Sequence, residues 1–261
     1  MTDLEGKRAL VCGSTRGIGR ACAVELAERG AAVTLLARDE GRLGEVCAQL
    51  STGAGQVHHW VCADFSDPPT VRQRVADHLA ETGPFQILVN NTGGPPQGPI
   101  READADVFRA AFSAHVICNQ YLVQVLLPGM REAGYGRIIN IISLSVKAPI
   151  PGLGVSNTIR GAVASWAKTL AEELGPFGIT VNNVLPGYTA TERLESVIAV
   201  RAKELGVSVE EVEANMKAEV PLRRFARPEE TAAAVGFLAS PGASYVNGIN
   251  LPVDGGRLPT L

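Results

Sequence analysis

The sequence predicts an α/β fold built on one doubly wound parallel sheet, and three observations carry that expectation. Short apolar runs such as residues 10–12, 86–90 and 179–185 alternate with helical patterns along all 261 residues. Such runs, apolar toward both faces, suit strands covered by helices on each side. A glycine-rich turn, Cys12-Gly-Ser-Thr-Arg-Gly-Ile-Gly19, joins the first run to the first helix. No linker-like or low-complexity stretch divides the chain, so residues 1–261 are expected to form a single domain.

The elements follow in order. Leu10, Val11 and Cys12 make the first strand, and Ala21, Val24, Leu26 and Ala27 give the next helix its apolar face. Strand 33–37 leads to helix 41–50, and strand 57–63 to helix 71–79, which starts after Pro68-Pro69. Strand 86–90 precedes a long helix over 103–130, and strand 137–143 precedes helix 154–174. Strand 179–185, helix 229–238 and strand 250–253 complete the sheet. The charged segment 190–219, with Glu192, Glu195, Arg201, Lys203, Glu204, Glu210 and Glu211, reads as helical.

Composition narrows the classes. At 46% hydrophobic residues the chain can bury a full core, and a net charge of -3 offers no basic surface to nucleic acid. Cys12, Cys22, Cys47, Cys62 and Cys118 show no C-x-x-C pair and no zinc spacing, so reduced thiols and no metal are expected. The polar N-terminus is unlike a signal peptide, and no apolar run approaches the ~20 residues that span a bilayer. A soluble cytoplasmic protein with no membrane partner is expected.

Gly13, Gly17 and Gly19, with Ser14 and Ile18 between them, place free backbone N–H groups and a helix dipole above a strand end. That is an anion site. Ligands of such sheets lie beyond the carboxyl ends of the strands, at the switch point. The second strand ends in Ala37-Arg38. An acid there would bond a ribose 2′-hydroxyl, whereas Arg38, with Arg16 nearby, suits a 2′-phosphate and thus NADPH over NADH. Asp64, ahead of Phe65, stands where it can accept from the adenine amine; a capping turn with Asp67 is the other reading.

Asn90-Asn91-Thr92-Gly93 follows the fourth strand, Pro186-Gly187 the sixth, with Thr189 and Thr191 beyond, and Val253-Asp-Gly-Gly256 closes the series. With Cys12–Gly19 these motifs resemble the short-chain dehydrogenase/reductase family, close in layout to 3-oxoacyl-carrier-protein reductases, across essentially the whole chain. The resemblance implies a Rossmann-type fold and a nucleotide site lined by the residues just named, among them Asn90, Asn91, Gly93, Pro186, Gly187, Thr189 and Thr191. It also implies a mobile lid over about residues 190–219, a small-molecule substrate and a homotetramer paired through the helices 103–130 and 154–174.

The family's catalytic Asn, Ser, Tyr and Lys map onto His115, Ser143, Ser156 and Arg160, so three of the four positions differ. A serine at 156 has no accessible ionised form without a base. Arg160, one helical turn on, keeps the positive charge and can fork onto the nicotinamide ribose, but it is no proton source. His115 is either an acid–base group or a filled helix position. Ser145 and Tyr188 are further hydroxyls near the site. Two functions follow as expectations. One is an NADPH-dependent oxidoreductase acting on a carbonyl or a conjugated enone by an altered proton path. The other is a catalytically weak or inactive nucleotide-binding sensor or partner subunit.

Overall fold

The computed structural model describes residues 2–260. Among them seven strands form one parallel sheet: β1 (Arg8–Cys12), β2 (Ala32–Ala37), β3 (His59–Cys62), β4 (Ile87–Asn90), β5 (Gly136–Ile141), β6 (Ile179–Pro186) and β7 (Asn250–Val253). Their order is β3-β2-β1-β4-β5-β6-β7, so the direction of winding reverses between β1 and β4. All seven strands predicted from the sequence are present, and the sheet is parallel throughout. Every carboxyl end therefore opens on one edge, above the β1–β4 switch point.

Helices cover both faces. Helix α1 (Gly17–Glu28), α2 (Glu40–Ala48) and the late helix Pro228–Ala239 bury Leu26, Leu43 and Val235 on one side. On the other, α3 (Pro68–Thr82) contributes Val71 and Val75. The helix predicted over 103–130 is a composite: α4 (Ala105–Phe112), a π turn (Ser113–Ile117) and α5 (Cys118–Glu132). Its 28 residues are long and apolar enough to cross a bilayer, which the sequence reading did not anticipate. Here Leu122, Val123, Leu126 and Met130 lie in the core against the sheet. Helix α6 (Gly154–Leu174) follows its predicted bounds and lies beside α5.

The charged segment folds as two helices, α7 (Glu192–Leu205) and α8 (Val209–Ala218). They bury a small apolar cluster of their own, Leu194, Ile198, Ala202, Val212 and Met216, onto which Tyr188 and Phe225 pack. The late helix, α9 in chain order, starts at a proline and is fixed by Glu230, which accepts from the Arg227 backbone N–H at 2.7 Å.

Candidate active site

The glycine turn is held from below. Gly13 has φ +58°, and a Cβ there would meet the Asn91 carbonyl oxygen at 2.6 Å. Only glycine lets these two backbones touch. Asn91 explains the closeness: its Nδ2 donates to the carbonyls of Cys12 and Gly13 at 3.2 and 3.3 Å. Ser14 is fully buried and its Oγ accepts from the Leu36 N–H at 3.1 Å, tying the turn to β2. Ile18 packs into the core beneath it. Gly19 presses on the Gly13 carbonyl, and a Cβ on Gly17 would lie 3.2 Å from Thr191 Cγ2, at the base of the lid.

The predicted cofactor residues thus fall into two groups. Ser14, Asn90, Asn91, Phe65 and Thr189 spend their side chains inside the protein, shaping the backbone above the strands. Thr189 is buried and donates to the Gly187 carbonyl at 3.3 Å, while Thr191 caps α7 by accepting from Leu194 N–H. Gly187, after Pro186, donates to Val253 O at 2.9 Å and leaves no room for a side chain beside Asp254. Arg16, Arg38 and Asp64 make up the exposed group. Arg16 pairs with Glu192 at 2.5 Å, and Arg38 stands 3.9 Å from Asp64. Asp64 also accepts from Ser66 N–H at 2.9 Å, and Asp67 caps α3. The segment is thus the capping turn expected with Asp67, and the Asp64 side chain remains open to solvent on its outer side.

Asn90 belongs to a device that the sequence did not disclose. Asn90, Asn140, Asn183 and Asn250 are paired across β4, β5, β6 and β7. Their side-chain amides form a ladder of hydrogen bonds at 2.8, 2.9 and 2.8 Å. The register alone brings them together, and each buried amide is satisfied by the next. At the β4 end the Asn90 Oδ1 has no protein partner. It faces an enclosed space of about 10 Å³ that is also lined by His115, Asn119 and Arg160. That is about the volume one water needs.

His115 and Arg160 meet across this space. The π turn pushes His115 inward, where it is 3% exposed and hydrogen-bonded to the Gly93 backbone. Burial, and then the Arg160 charge, lower its pKa from 6.5 to about 3. The imidazole is neutral at ordinary pH and makes a poor proton donor. Arg160 donates to the Ile141 carbonyl at the end of β5, at 2.9 Å. Burial of its charged end, and then Arg193, lower its pKa to about 10, which still leaves it cationic.

Strand β5 stops at Ile141, two residues short of the serine that the sequence placed at its end. Ser143 instead caps a short 3-10 turn, Leu144–Val146, and its Oγ accepts from Ser145 N–H at 3.1 Å. With a lone pair so engaged, the Ser143 hydroxyl proton is free to point outward. Ser145 is buried, with an unpartnered Oγ. Ser156 lies half-buried in the first turn of α6, one turn before Arg160. The segment between Ser143 and α6 is clamped by Asn157, whose Nδ2 donates to Ile150 O at 2.9 Å.

None of the four tyrosines of the chain falls on the catalytic positions 143, 156 and 160. Tyr121 lies in a groove between α3 and α5, Tyr135 donates to Ala239 O at 2.6 Å, and Tyr245 is fully exposed. The Tyr188 phenol donates to Glu219 at 2.9 Å and accepts from Arg257 at 2.6 Å. Burial and Glu219 raise its pKa further, so this phenol is braced beneath the lid as a packed aromatic.

Sequence reasoning passed over Arg193. It is in the first turn of α7, a position where the helix dipole disfavours a cation, and that was the available signal. Its Nη2 donates to Pro95 O at 3.2 Å, bridging the lid to the loop after β4.

The chain matches the family described as enoyl-(acyl-carrier-protein) reductase over residues 13–257. It is 33% identical to the 3-oxoacyl-acyl-carrier-protein reductase of Haemophilus influenzae, over 97% of this chain and 98% of that protein. Among solved structures, L-sorbose reductase from Gluconobacter frateurii, complexed with NADPH and L-sorbose, superimposes with a TM-score of 0.93 at 33% identity over the whole of both chains. YwfH, an NADPH-dependent reductase involved in bacilysin biosynthesis, does so with 0.92 at 26% identity, over 98% of this chain and 99% of that one. The chain belongs to the short-chain dehydrogenase/reductase family.

Proposed function

We propose that this protein is an NADPH-dependent reductase that delivers hydride to the β-carbon of a conjugated enone. One observation carries the reading: Ser143 and Arg160 supply a hydroxyl donor and a fixed positive charge, while positions 156 and 160 hold a serine and an arginine in place of a phenol and an ammonium. The cofactor is NADP(H), which supplies the hydride when bound. The residues fit it: the glycine turn leaves backbone N–H groups free at the start of α1, and Arg16 and Arg38 lie exposed beside it for a 2′-phosphate.

In this reading the Ser143 hydroxyl donates a hydrogen bond to the substrate oxygen and keeps its proton, having its own oxygen pinned by Ser145 N–H. Arg160 keeps its guanidinium at the end of β5 and stabilises negative charge that develops near it. Those two groups suffice to hold an enolate, since hydride transfer to carbon leaves charge on oxygen that fixed donors stabilise. The enolate then takes its proton at the α-carbon from water, and one enone, one NADPH and one proton give one saturated ketone. Direct reduction of an isolated carbonyl is harder, because the alkoxide must be protonated as it forms and neither group is an acid of suitable strength. Ser156, with one short hydroxyl, holds water in this scheme, and His115 packs behind Arg160 as a neutral ring.

The replacement of phenol and ammonium also favours a second reading, a nucleotide-binding protein without turnover. Single-turnover oxidation of NADPH separates them. Cyclohexenone should be reduced at least tenfold faster than cyclohexanone. Equal rates would remove the preference for conjugate reduction, and tight NADPH binding without oxidation by either ketone would support the second reading.

A further inference from the structure

Two guanidinium groups converge on one short loop at the substrate end. Residues 91–98 leave β4 above the switch point and run over the start of α6. Gly98 N–H donates to Gly152 O at 2.7 Å, and Gly154 packs against Ile100. Arg160 reaches this loop from α6, sharing the enclosed space with Asn91 and Thr92. Arg193 reaches it from the lid, bonding Pro95 O at 3.2 Å, with its Nη2 3.8 Å from where a Gly94 side chain would begin.

Neither guanidinium has a carboxylate partner among the described residues. Glu192 pairs with Arg16 at 2.5 Å and Glu219 with Arg257 at 2.8 Å, while Glu195, in the same first turn of α7, forms no ion pair with either guanidinium. Each arginine is instead spending one N–H on a backbone carbonyl, Ile141 for Arg160 and Pro95 for Arg193. The N-terminus of α7 adds further positive potential at Arg193. Two like charges gathered at one loop, each with part of its fork left unfilled, describe a place for an anion.

We propose that Arg193, backed by Arg160, binds a carboxylate on the substrate, so that the enone reduced here is a small unsaturated keto acid. The inference rests on the enone-reductase reading and names its substrate class. Arg193 is the specificity-determining residue: it closes with the lid onto the acid, and its bond to Pro95 is exchanged for one to the carboxylate. Because the arginine is exposed on the lid side, the acid is the first part of the substrate to be captured.

The test compares acetylacrylate with its methyl ester in turnover, and levulinate with methyl levulinate in calorimetric titration of the NADP+ complex. The acid should show a KM at least tenfold below the ester, and levulinate should bind at least tenfold tighter than its ester, about 1.4 kcal/mol. Arg193→Met should erase both acid-over-ester ratios, and Arg193→Lys should restore part of them. Equal handling of acid and ester by the unaltered protein overturns the proposal. So does an Arg193→Met variant that keeps the ratios but binds NADPH tenfold more weakly, since Arg193 would then serve the cofactor diphosphate. Levulinate binding without any turnover would leave the carboxylate site standing while refuting enone reduction.

Discussion

Replacing Ser143 by alanine removes one oxygen with two jobs, and the structure lets the two be separated. The first job is structural: Oγ accepts from Ser145 N–H at 3.1 Å and starts the 3-10 turn Leu144–Val146. Loss of such a cap costs about 0.5–2 kcal/mol of stability. The second is catalytic: the hydroxyl proton is the donor placed for the substrate oxygen, and loss of one oxyanion donor costs about 2.7–4 kcal/mol in the transition state. The expected slowing of hydride transfer is therefore roughly 10²–10³-fold. Single-turnover NADPH oxidation by cyclohexenone reads the second effect, and thermal unfolding reads the first. Ser143→Thr keeps both the acceptor and the donor, and should retain most of the rate. If Ser143→Ala unfolds at a lower temperature but transfers hydride at an unchanged rate, Ser143 is only a cap, and the proposed role of its hydroxyl is wrong.

Three further predictions concern the rest of the molecule. NADPH should bind at least tenfold more tightly than NADH, about 1.4 kcal/mol, because the exposed Arg16–Glu192 pair that must open is worth only about 0.2–1 kcal/mol. Equal affinities by fluorescence titration would refute this. His115, with a folded pKa near 3 against 6.5 unfolded, adds stability that is full above pH 6.5 and is lost as the pH falls toward 3. The slope is about 1.4 kcal/mol per pH unit in that window, so His115→Asn should flatten acid unfolding by that amount while the pH–rate profile shows no imidazole titration. Exposed Phe112 and Ile117 on the composite helix support association into a homotetramer, which light scattering at micromolar concentration should report; a stable monomer would refute it.

Much of the fold was legible because it depends on local pattern. Helix α6 and strand β7 fall on their predicted bounds, and the glycine turn announces its own conformation through Gly13 and Gly17, both at positive φ. What escaped the sequence depends on register and on distant neighbours. The π turn around His115 adds one residue to a helical turn without altering the apolar periodicity, so nothing local marks it. The amide ladder needs four asparagines on four strands to fall in register, and no single one of them looks unusual. Ser143 was placed at a strand end, whereas its side chain bonds forward to Ser145 and turns the chain out of the sheet. Arg16 read as a free cation, and its pairing with Glu192 across 176 residues appears only once the lid is folded. Arg193 stood among many charges in a charged segment, and only its reach to Pro95 sets it apart.

The central claim is that hydride goes to carbon while Ser143 and Arg160 hold the oxygen without protonating it. Cyclohexenone treated with NADPH carrying deuterium at the transferred position tests it directly, with the product read by nuclear magnetic resonance. The account predicts cyclohexanone with deuterium on the β-carbon. Deuterium on the carbinol carbon of an allylic alcohol would contradict it.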